Sequence, residues 1–182
     1  MVRLLLLLFP AAAPAAPTLP ATPHYPGEIF LLRLKSEAAV YSHPPRPTVF
    51  TIPFPALVTR IFTYHWNGGR GRRPGSIGLK NARTGETLGT WDAMGIHGDF
   101  PVEPDTVWPS EPSGPPFRYW LVWPKIRLSP GTYEVTDSDP LTWSTNAELQ
   151  HMGCAWVYGI PLGDVSRGPA PPRTGQATAF RP

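Results

Sequence analysis

Twenty-six prolines and seventeen glycines are spread along this 182-residue chain, and no window of a dozen residues shows a clean 3.6-residue apolar repeat free of them. An interior proline removes a helical hydrogen bond and clashes with the preceding turn, so long helices are excluded. What remains between the breakers is short and rich in β-branched and aromatic residues. Eight such segments stand out: Ile29–Leu34, Thr48–Ile52, Leu57–Trp66, Ser76–Lys80, Thr87–Trp91, Arg118–Trp123, Thr132–Thr136 and Cys154–Tyr158. Eight short strands predict an all-β chain, a single antiparallel β-sandwich that is jelly-roll-like.

Alternation along Thr59 to Trp66 puts Ile61 and Thr63 on one face and Phe62, Tyr64 and Trp66 on the other. The aromatic face is expected to point into the core. Asn67-Gly68-Gly69 can supply the positive φ of a tight reversal, and Ala82-Arg83-Thr84-Gly85 has the form of a hairpin loop, so the strands flanking each are expected to pair. Between Met94 and Pro116, glycines, prolines and acidic residues replace the strand pattern, which predicts a long loop.

The start of the chain, one arginine ahead of Leu4–Phe9 and then Ala11 to Ala16, reads as a signal peptide over residues 1–16. A Pro-rich linker follows over 17–27, then a sandwich domain over 28–165 and a disordered or loosely docked tail over 166–182. Export to a secreted or periplasmic location follows from this reading. The leader's apolar run is far short of the roughly 20 residues that cross a bilayer, so no membrane span is expected. Cys154 is the only cysteine, which rules out an intrachain disulfide, and its apolar setting suits a buried small side chain better than a reactive thiol. The formal charge of +3 is concentrated around Arg70-Gly71-Arg72-Arg73. Nucleic-acid binding ordinarily needs cations spread along a groove, so that partner is not expected.

The motifs Thr63-Tyr64-His65-Trp66-Asn67-Gly68-Gly69, Gly89-Thr90-Trp91 and Gly131-Thr132-Tyr133-Glu134-Val135-Thr136-Asp137-Ser138-Asp139-Pro140 occur in that order. In this the chain resembles a group of bacterial secreted β-sandwich modules of uncertain function. More distantly it is similar to the jelly-roll domains appended to extracellular proteases and glycoside hydrolases. The resemblance covers about Thr48 to Gly159 and carries over no catalytic residue.

Two segments hold the candidate site residues. Asp137 and Asp139, with Thr142, Ser144, Thr145 and Asn146 beyond, form a turn whose oxygens could hold calcium. The same carboxylates could instead cap the turn by accepting backbone N–H groups. Tyr64, His65, Trp66 and Asn67 gather phenol, imidazole, indole and amide at a strand end, with Arg70 just after. They could stack on a sugar ring and bond its hydroxyls, and His65 could equally be a satisfied strand residue. The two segments are expected to meet at one end of the sandwich, with Trp143 and Asn146 joining the site. No nucleophile elbow, zinc-protease helix or phosphate loop is present, so no enzyme activity is expected. A glycosidase pair cannot be selected from Glu86, Asp92, Glu103, Glu134 and Asp137. The expected function is a noncatalytic extracellular binding module for a glycan or cell-surface polymer. The alternative is an assembly subunit that self-associates through strand edges and terminal arms.

Overall fold

The computed structural model describes residues 25–97 and 116–163. The signal peptide, most of the linker, much of the expected long loop and the C-terminal tail lie outside the described residues. The strands, in chain order, are β1 (Ile29–Leu34), β2 (Tyr41–Ser42), β3 (Thr48–Ile52), β4 (Ala56–Tyr64), β5 (Ser76–Asn81), β6 (Thr87–Asp92), β7 (Met94–His97), β8 (Phe117–Val122), β9 (Ile126–Leu128), β10 (Gly131–Asp137), β11 (Ser144–Thr145) and β12 (Ala155–Pro161). The eight segments read from the sequence correspond to β1, β3, β4, β5, β6, β8, β10 and β12.

Those eight form one ribbon rolled up on itself. The first pairs with the last (β1 with β12), the second with the seventh (β3 with β10), the third with the sixth (β4 with β8) and the fourth with the fifth (β5 with β6), all antiparallel. Rolling lays β12 against β4 and β10 against β5. The result is two sheets, β1-β12-β4-β8-β7 with β9 also on β4, and β3-β10-β5-β6. This is the jelly-roll arrangement, and the all-β sandwich expected from the sequence is the fold of the described residues.

Ile61, Val58, Val122, Trp120 and Val157 of the larger sheet pack against Phe50, Ile77, Leu79, Tyr133 and Val135 of the smaller one. The aromatic face of β4 is not part of this core, contrary to expectation. Phe62 belongs instead to a second buried cluster with Leu121, Ile96, Trp156 and Tyr158, and Tyr64 packs beside them. The larger sheet is therefore apolar on both faces. That explains why β8 and β12 read as nearly unbroken apolar runs, and it accounts for the surplus of aromatic residues over one core's needs.

Two further expectations are corrected. β4 and β5 flank the Asn67–Gly69 turn yet lie in different sheets, because the turn carries the chain across the sandwich rather than back alongside itself. The Met94–His97 stretch, expected to be loop, pairs with β8 as β7. By contrast, β5 and β6 do form the expected hairpin. Gly85 there takes φ +76°, and the Asn81 side-chain oxygen accepts the N–H groups of Arg83 and Thr84.

Alternation along β4 is broken at Thr59. The register against β12 steps from Tyr158↔Arg60 to Gly159↔Val58, so Thr59 is an extra residue, a β-bulge. Both Thr59 and Arg60 then reach the Glu28 carboxylate, and Arg60 Nε donates to Glu28 Oε1 at 3.2 Å. Arg60, wholly buried, also lies 4.6 Å above the Tyr158 ring.

Candidate functional site

β4 and β10 finish at the same end of the sandwich, in opposite sheets, and their last inward-facing side chains are polar. Thr63 Oγ1 donates to Asp137 Oδ2 at 2.7 Å, and His65 Nε2 lies 3.1 Å from the same oxygen. Asp137 Oδ2 can only accept, so Nε2 carries the hydrogen; in the neutral ring Nδ1 then accepts from the Thr142 hydroxyl, 2.9 Å away. The imidazole stacks on Trp120 with centroids 3.9 Å apart and planes at 22°. Asp137 Oδ1 accepts the N–H of Asp139 at 2.8 Å, which caps the turn after β10.

A hydroxyl, an imidazole and a carboxylate in line are the elements of an activated nucleophile. Here the carboxylate is shared with Thr63, and the side chains of His65 and Asp137 are both 0 % exposed. A substrate atom has no approach to the ring, so the three groups act as a strap between the sheets.

The turn after β4 is built on this strap. Trp66 N–H donates to Ser144 Oγ at 2.8 Å, joining it to β11. Asn67, Gly68, Gly69 and Gly71 all have positive φ. The turn is closed by Gly69 N–H to Trp66 O at 2.8 Å and by Asn67 Nδ2 to Gly71 O at 2.9 Å. It is fastened to β8 by Arg72 N–H to Phe117 O at 2.8 Å and by Trp120 Nε1 to Arg72 O at 3.0 Å. Gly71 admits no side chain, since a Cβ there would sit 2.4 Å from Phe117 O. Arg72 Nε lies 2.5 Å from Asp139 Oδ2, an ion pair by proximity without hydrogen-bond alignment. Trp66 stays 37 % exposed, with the Arg118 guanidinium 4.7 Å from its ring centroid.

Past Asp139 the surface is hollowed. A groove of about 410 Å³ runs over the outer face of the smaller sheet between the Pro44–Pro47 loop and Pro140. Arg46, Lys80, Glu134, Thr136 and Trp143 line it. Glu134 and Thr136 are the outward residues of β10, alternating with buried Tyr133 and Val135, and Lys80 is the register partner of Glu134.

The two predicted segments thus meet, although their members have separate roles. His65 and Asp137 are buried structural groups. Trp66 and Arg70 are exposed on the turn after β4, and Trp143 lines the groove while its Nε1 donates to Cys154 O at 2.9 Å. The Asn67 amide is spent inside its own turn. Asn146 is buried, donating to Ser36 Oγ at 2.6 Å and accepting from Leu149 N–H at 3.1 Å, so it serves the 146–151 turn instead of a ligand. Tyr64 faces away, against Tyr119 at 4.8 Å on the far side of the larger sheet. Arg46, Lys80 and Thr136 were not singled out from the sequence, and Glu134 only as one of five carboxylates that a glycosidase could use. The polar alternation of Thr132, Glu134 and Thr136 was the signal that could have found them.

The oxygens of Asp137 face protein hydrogen-bond donors, and Asp139 faces Arg72. Among the described residues no group of three or more His, Cys, Asp and Glu is placed to hold a metal ion. The bond from Asp139 N–H to Asp137 Oδ1 is the one the turn-capping alternative calls for. Cys154 is buried, donates to Leu34 O at 3.2 Å, and has its thiol pKa pushed far up by desolvation. Among the described residues no helix is long and apolar enough to cross a membrane. No family model, curated protein or solved structure matches the chain.

Proposed function

We propose that this is a noncatalytic binding module, exported from the cell, that holds a glycan at the groove end of its sandwich. The observation that carries the reading is the groove itself. Its volume falls within the range of small-ligand sites, its floor offers hydroxyl, carboxylate and ammonium groups, and Trp66, tied to Ser144 beside the lining residue Trp143, exposes its indole. A sugar has apolar ring faces and a fringe of hydroxyls, and it is matched by aromatic rings beside a few placed polar groups. The rolled ribbon supplies rigidity, because β10 and β5, which carry Glu134, Thr136 and Lys80, are each paired on both sides.

The test is a titration followed by tryptophan fluorescence against soluble oligosaccharides, with sedimentation run alongside. The expected result is a saturable change in a monomeric protein, lost in Trp66→Ala. No response to any saccharide, together with concentration-dependent oligomers, would favour self-association instead.

A further inference from the structure

We infer that the glycan is polyanionic, a uronate-rich chain whose carboxylates meet Arg70, Arg72 and Arg73 on the rim and Lys80 and Arg46 in the groove. This rests on the glycan-binding reading and specifies its substrate class. The three rim arginines sit on a turn whose backbone is fixed by four positive-φ residues and by hydrogen bonds into β8. Binding therefore has to order only the guanidinium side chains, and preorganisation of this kind preserves affinity. Arg70 and Arg73 are exposed and make no ion pair among the described residues; Arg72 keeps 55 % of its side chain accessible beside Asp139.

The charge balance points the same way. Five cations belong to the turn and groove, against Glu134, Asp137 and Asp139, with Asp92 beside Ser76 at the end of β6. Asp137 also borders the groove, but its carboxylate is enclosed by Thr63 and His65 and cannot touch a ligand. Guanidinium binds carboxylate in bidentate fashion, and a neutral sugar would leave these groups unmatched. The indole of Trp66, already carrying the Arg118 guanidinium, adds a stacking edge beside them. Three of the cations fall within the four consecutive residues Arg70 to Arg73 instead of tracking along a strand of phosphates, which favours a glycan over nucleic acid.

The deciding experiment compares a galacturonate hexamer, a neutral galactose hexamer and a single-stranded oligonucleotide, on wild type and on Arg70→Gln/Arg73→Gln. The uronate should bind at least about tenfold tighter than the neutral sugar at low salt, with the gap closing as salt rises. The double variant should lose about tenfold for the uronate while keeping its melting temperature. Equal binding of both hexamers, unaffected by the variant, would overturn the polyanion inference and leave the glycan reading standing. Failure of both hexamers would overturn the two together, and tighter binding of the oligonucleotide would overturn the glycan in favour of nucleic acid.

Discussion

His65 and Asp137, 72 positions apart, lie with Nε2 and Oδ2 3.1 Å from each other, and this contact fastens β4 of one sheet to β10 of the other. A polar pair enclosed this fully is costly to leave half-made, because the surviving charge has no water to turn to. His65→Ala should therefore destabilise the fold by about 3 kcal/mol, and Thr142→Val, which removes only a neutral bond, by about 1 kcal/mol. Urea denaturation measures both. A loss well under 1 kcal/mol in His65→Ala would mean that the two strands are not held by this network.

Glycine substitutions separate steric from conformational demand. Gly71 and Gly85 both have positive φ, but a Cβ at Gly71 meets the Phe117 backbone and one at Gly85 meets nothing. Gly85→Ala should cost about 1 kcal/mol, from backbone strain alone. Gly71→Ala should cost at least about twice that and also loosen the arginine turn. Equal losses in thermal melts would contradict the close packing of the turn on β8.

The eight strands of the roll were legible because each is at least five residues long and rich in apolar, aromatic or β-branched residues. β2, β9 and β11 are two or three residues long, too short for any periodicity, and β7 hides among glycine and acidic neighbours. Which face of β4 points inward was misread for a physical reason. The larger sheet is covered on both sides, so hydrophobicity does not distinguish them, and the extra residue Thr59 shifts the alternation halfway along. Arg60 could not be recognised as buried without knowing that Glu28 lies beside it. At the site, the meeting of the two strand ends followed from their shared polar turns. The division between buried strap and exposed rim depends on which side of β10 each residue takes, and the groove arises from loops that no local pattern encodes.

The buried Cys154 thiol predicts a specific pH dependence. Its folded-state pKa is raised above the unfolded value of about 8.5, so its contribution is fully present below that pH. It is lost as pH rises, because the unfolded chain releases the proton while the folded one keeps it. The stability advantage of wild type over Cys154→Ala should shrink above pH 9 by about 1.4 kcal/mol per pH unit. A constant difference between pH 8 and 10 would contradict burial of the thiol.

Asp137 and Asp139 are committed to protein partners, so added calcium and added chelator should both leave the melting temperature unchanged. A ligand bound only to the folded state raises that temperature by mass action. An increase of several degrees with millimolar calcium would show that the carboxylates hold a cation instead.

Where the ligand sits is read out by a two-dimensional NMR titration with the galacturonate hexamer. Shifts are expected at the Trp66 indole N–H and at the amides of Arg70, Lys80 and Thr136, with the β1 and β12 resonances unmoved. Shifts confined to β1 and β12, or none at saturating hexamer, would contradict this placement.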